Sequence, residues 1–251
     1  MRRHAVLALG FLLPAMAACG PRPDAGGASD SARSAVGSTR ATAEAKDSTL
    51  QLDARCPGEN NTFDCARVIE RSIFAHDSVH AHRSGDSLVL MLANKRVRVL
   101  ADSGEEAESV HFSYRGYLPT LGVHVVHEQY YEGSAFTLVS ARTGRSRYVP
   151  EEPVLSPDGR RLASAIAAAG EDFTLNKLMI LRGAGEADTL VLELDLEPKT
   201  FGFDRPRWVD DSTIDVTRVV PREDSPDGVR TPARARYRAG KWQVDTMPPR
   251  T

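Results

Sequence analysis

Six of the seven histidines fall between positions 76 and 127: His76, His80, His82, His111, His124 and His127. Imidazole nitrogens are the commonest protein ligands for zinc and copper, so this clustering is the feature of the chain closest to chemistry. His80 and His82 are two apart, and on an extended strand such side chains point to one face and supply half of a metal site. His124 and His127 would complete a set of four, yet three residues apart on a regular strand they face opposite sides. No Asp or Glu stands at a spacing that completes the set, and polar residues on solvated strand faces are the plainer account. His127-Glu128 opens like the zincin motif, but Tyr131 stands where its second histidine belongs. That motif also needs a helix, on which four-residue spacing brings two rings together.

Other chemistry is harder to place. The chain has no Gly-x-Ser-x-Gly elbow and no Gly-x-x-x-x-Gly-Lys phosphate loop. Its carboxylates gather in turns, at Glu105-Glu106, Glu151-Glu152, Asp210-Asp211 and Glu223-Asp224 with Asp227. None follows the spacing of a calcium loop, which must converge six or more oxygens. Tyr130 and Tyr131 fall between two apparent strands, where exposed aromatic rings can bind sugars or protein partners. Phe203 and Trp208 are expected to fill a core.

The N-terminus reads as an address. Arg2 and Arg3 precede an apolar run from Ala5 to Ala18, interrupted only by Gly10 and Pro14. The run is too short for a hydrocarbon core that needs about 20 residues, and it has the three parts of a secretory signal. Met16-Ala17-Ala18-Cys19 resembles the lipobox of bacterial lipoproteins, with Met16 where that family usually has Leu. The resemblance implies cleavage after residue 18 and diacylation of Cys19, which would tether the chain to a membrane. Two acyl chains hold stably where one binds reversibly. Gly20, in place of the Asp that favours inner-membrane retention, points to the outer membrane. Losing residues 1–18 removes two arginines and no acid, moving the formal charge from −2 to −4. A mildly acidic chain is a poor match for nucleic acid. Residues 19–51 are dominated by Ala, Gly, Ser, Thr and Asp and read as a flexible linker. In an oxidising compartment the two remaining cysteines, Cys56 and Cys65, are expected to form a disulfide.

Residues 52–251 must position everything else. Cys65, Ile69 and Ile73 repeat at four-residue spacing beside Val68, predicting a helix from Asp64 to about Ala75, with Asp64 as its cap. The period then changes to two. Leu88-Leu90-Leu92, Val97-Val99, Val123-Val125 and Ile214-Val216 alternate with other residues, and turn signals punctuate them every ten residues or so. Val154-Leu155-Ser156-Pro157-Asp158-Gly159-Arg160-Arg161-Leu162-Ala163 resembles the Ser-Pro-Asp-Gly corner of TolB-like and prolyl-oligopeptidase-type β-propellers. Arg207 to Ile214 reads as the same corner in a later unit, and Gly116 to Val123 as an earlier one. Two further strands follow each corner, giving three four-strand units after a shorter set from Val79 to Asp102.

The expectation is therefore an all-β, propeller-like stack of about four small antiparallel sheets with one short N-terminal helix. A β-sandwich is the alternative. The resemblances imply a lipid-anchored envelope protein with a non-catalytic binding or scaffolding domain, envelope proteins as partners, and no cofactor beyond the lipid on Cys19. The alternative function is a metal-binding or metal-dependent hydrolytic protein using the His76–His127 cluster.

Overall fold

A computed structural model describes residues 56, 61–104, 108–131, 133–167, 176–183, 190–222 and 225–246. The signal segment, Cys19 and the 19–51 linker lie outside the described residues. So do Glu105-Glu106 and Glu223-Asp224.

Helix α1 spans Thr62–Phe74. Asn61, not Asp64, is its cap: the Asn61 side chain accepts from the Asp64 N–H at 2.8 Å. Asp64 instead occupies the first turn, where its charge faces the positive end of the helix dipole. Cys56 and Cys65 form the expected disulfide, with Cα atoms 5.3 Å apart. Both half-cystines are buried with Ile69, against Val68 and Ile73. Closing this nine-residue separation should contribute about 2–3 kcal/mol by restricting the unfolded chain. The double variant Cys56→Ser/Cys65→Ser is expected to lose that amount in urea unfolding, and reductant should then leave its midpoint unchanged. A double variant as stable as its parent would show that α1 needs no staple.

Fifteen strands follow among the described residues, in four antiparallel sheets, each a meander of consecutive strands. The first sheet holds β1 (Ala81–Ser84), β2 (Ser87–Met91) and β3 (Val97–Ala101). The second holds β4 (Val110–Leu118), β5 (Val123–Tyr130), β6 (Gly133–Ser140) and β7 (Ser146–Val149). The third holds β8 (Val154–Leu155), β9 (Arg161–Ile166), β10 (Lys177–Gly183) and β11 (Leu190–Leu196). The fourth holds β12 (Gly202–Asp210), β13 (Thr213–Arg222), β14 (Ser225–Arg238) and β15 (Lys241–Thr246). Four sheets, none closed into a barrel, replace the two layers of a sandwich.

Burial explains the stacking order. Strands β5, β9 and β10 are buried at nearly every position, so the second and third sheets have two covered faces. Strand β2 alternates throughout and β13 alternates from Thr213 to Thr217, so the first sheet and this part of the fourth each cover one. The apolar clusters match this pattern. Ala81, Leu88 and Leu90 of the first sheet pack with Tyr114, Val126 and Val139 of the second. Val123, Val125, Phe136 and Leu138 pack with Leu162, Met179 and Leu181 of the third. Leu178 and Ile180 pack with Trp208, Ile214 and Trp242 of the fourth. Among the described residues no such cluster joins the fourth sheet to the first.

Each of the three expected corners is the turn between a sheet's first two strands. Ser156 Oγ donates to Asp158 Oδ1 at 2.6 Å, and the Arg160 N–H donates to the same oxygen. Gly159 takes the φ of +71° that closes the turn. At the later corner Asp210 Oδ1 accepts from the Ser212 N–H at 2.7 Å. The corners also meet. A Cβ on Gly159 would stand 3.2 Å from Thr120 Oγ1, and the Asp158 N–H donates to Asp211 Oδ1 at 2.8 Å. Glu193, nearly buried, fastens the third sheet to the fourth by accepting from Arg161, Arg182 and the Trp242 indole N–H.

Candidate functional site

The histidines do not converge. His80 falls just before β1 rather than within it, and its ring stacks on Tyr117 of β4 with centroids 4.0 Å apart. Its Nδ1 lies 2.8 Å from the Asp77 carboxylate. His82 is exposed on β1, in one cross-strand row with Val89 and Val99. The two rings have unlike surroundings, one stacked on an aromatic ring and the other exposed. His76 bonds the Ser72 carbonyl, and His111 sits edge-on to Phe63.

His124 and His127 lie on opposite faces of β5, as alternation requires. His124 is fully buried. Its Nε2 donates to the Met91 carbonyl at 3.0 Å, leaving Nδ1 to accept from the Tyr114 hydroxyl at 3.3 Å. Only a neutral ring satisfies both, and burial pushes its pKa down to about 4. His127 stacks on Phe136, centroids 4.5 Å apart, and its Nδ1 accepts from Arg115 Nη2 at 2.8 Å. The Nδ1 lone pairs of both rings, which a metal would use, are spent on neighbouring side chains. Among the described residues no three His, Cys, Asp or Glu side chains form a group that could hold a metal ion.

Tyr130 and Tyr131 are 42% and 66% exposed at the hairpin between β5 and β6, open to a partner. The Tyr130 hydroxyl donates to Glu128 Oε2 at 2.6 Å, and burial together with that carboxylate raises its pKa. Tyr148 on β7 is a third exposed ring of the same sheet. Phe203 and Trp208 fill the core as expected, with the Trp208 N–H donating to the Val154 carbonyl at 3.0 Å.

Two features escaped the sequence. Glu151, between the second and third sheets, is held by burial at a pKa of about 7. Among the turn acids it had no mark of its own. A half-open cavity of about 340 Å³ lies between the third and fourth sheets. Leu194, Leu196, Phe201, Phe203, Trp242 and Val244 line it, and among the described residues Arg218 is the one charged side chain in its wall. No helix among the described residues is long and apolar enough to cross a membrane.

Comparison with known proteins finds no matching family model, no matching curated protein and no matching solved structure.

Proposed function

We propose that this chain is a lipid-anchored protein of the bacterial cell envelope, whose β domain is an open propeller-like scaffold for binding other envelope components. The observation that carries the reading is Met16-Ala17-Ala18-Cys19 at the end of a short apolar run behind two arginines. The pairing of Cys56 with Cys65 agrees with export, since disulfides persist in oxidising compartments. Gly20 directs the anchor to the outer membrane. There the chain would contact the membrane through its acyl groups and other envelope proteins through its loops.

The propeller reading draws on the corners. Thr120, Asp158-Gly159 and Asp211 bring the same turn of three successive sheets into one row, as consecutive blades do. The two-faced burial of the middle sheets fits blades within a stack. The one-faced burial of the outer sheets fits an arc that ends rather than a ring. Rigid sheets carrying open hairpins suit presentation of a surface, and Tyr130, Tyr131 and Tyr148 offer the aromatic contact area that binding surfaces favour. Fold alone does not assign a partner.

The anchor is tested by growing cells with radiolabelled palmitate. The native chain should take up label, and Cys19→Ser should take up none and accumulate at precursor length. Equal labelling of both chains would remove the basis of the proposal.

A further inference from the structure

Strand β13 pairs with β14 in unbroken register from Thr213 to Val220, so its even-numbered side chains share one face. Ile214 and Val216 on that face are buried in the core between the third and fourth sheets. Alternation calls for a third apolar residue at 218, and the chain places an arginine there.

Arg218 stands in register between Phe203 on β12 and Thr231 on β14. Its guanidinium lies over the Phe201 ring, 4.3 Å from the centroid. Other half-buried arginines of this domain hold carboxylates: Arg161 has Glu193, Arg234 has Asp215 and Arg83 has Glu70. No described carboxylate lies within ion-pair distance of Arg218. The Phe201 ring holds this cation at the cavity wall by a cation–π contact, and no described carboxylate neutralises it there.

The cavity supplies the rest of the specificity. Its other walls are the aliphatic Leu194, Leu196 and Val244, with Pro198, Phe201, Phe203 and Trp242. The Trp242 N–H is already spent on Glu193, so that ring offers only carbon. A volume of about 340 Å³ stands at the small end of small-molecule pockets, which run from roughly 300 to 1,000 Å³. It admits one short chain and excludes a two-chain lipid. From this juxtaposition of an apolar cavity and an arginine that has no carboxylate partner among the described residues, we propose that the cleft between the third and fourth sheets binds a medium-chain alkyl carboxylate. The chain lies against Leu194, Leu196 and Trp242, and the carboxylate accepts hydrogen bonds from Arg218.

The test uses the full-length protein in lipid nanodiscs, with empty nanodiscs as the blank and tryptophan fluorescence as the readout. Decanoate, kept below its micelle concentration, should quench saturably at one site and bind roughly tenfold tighter than octanoate. Decanol, of like chain but uncharged, should bind at least tenfold weaker than decanoate. Arg218→Gln should abolish that difference by weakening decanoate alone, and Leu196→Phe should exclude both ligands by filling the cavity. Three results would overturn the assignment: no saturable quenching, equal binding of decanoate and decanol to the native chain, or equal weakening of both ligands by Arg218→Gln. The last would mean that Arg218 only shapes the pocket.

Discussion

Glu70→Ala is expected to cost about 3–5 kcal/mol of folding stability, the largest effect of any single substitution considered. Glu70 sits on α1 with its side chain 4% exposed. Its Oε2 accepts from the Tyr114 N–H at 2.8 Å and from Arg83 Nη2 at 2.7 Å. Its Oε1 accepts from Arg83 Nε at 3.0 Å and from Arg67 Nη1 at 3.2 Å. One carboxylate thus ties the helix to β1 and β4, in two different sheets. Asp102 supports the network by pairing with Arg67 and accepting from the Phe112 N–H. Truncating Glu70 leaves a buried backbone donor and much of two guanidiniums without an acceptor, which costs far more than a surface ion pair is worth. Glu70→Gln keeps one acceptor oxygen and should fall between the two. Urea unfolding measures both, and a loss below about 1 kcal/mol for the alanine would mean that the network is dispensable.

Acid should reveal two opposed groups. The folded-state pKa of His124, about 4, lies below its ordinary 6.5 because the ring is buried. Between those values the unfolded chain binds a proton that the native ring refuses. The stabilisation is complete above pH 6.5 and is lost progressively as pH falls to 4, by about 3 kcal/mol in all. Glu151 has the reverse sign. Burial raises its pKa from 4.5 to about 7, so the native state holds a proton that the unfolded state has released. That stabilisation is complete below pH 4.5 and is lost as pH rises to 7. The native chain should therefore show a shallow profile between pH 4.5 and 6.5. Glu151→Gln should steepen its loss on acidification, and His124→Gln should make acidification over that window stabilising. Urea unfolding of the three chains at pH 4.5 and 6.5 gives the comparison. Parallel profiles would refute the assignment of either group.

The strand order was legible because turn chemistry and two-residue periods are local. Ser156-Pro157-Asp158-Gly159 makes its own turn, and Leu88-Leu90 or Ile214-Val216 declares a covered face without reference to any neighbour. The disulfide was legible for the same reason. What a side chain meets across a sheet boundary was not. Glu70 reads as the polar side of an amphipathic helix until Arg83 and Tyr114 arrive from later strands. His82 and His124 are alike in sequence, yet one is exposed and the other fully buried. Asn61 displaced Asp64 as cap through a shift of three residues, within the range over which either side chain can serve. Arg218 follows Ile214 and Val216 at the same spacing, but its oddity emerges only once the third sheet supplies the opposite wall.

The proposed role depends on whether the chain is anchored through Cys19. Mass spectrometry of the N-terminal peptide, from protein recovered with the membrane fraction, tests this most directly. The peptide is predicted to begin at Cys19 and to carry the mass of its acyl groups. A peptide beginning at Met1, or one holding Cys19 as a free thiol, would contradict it.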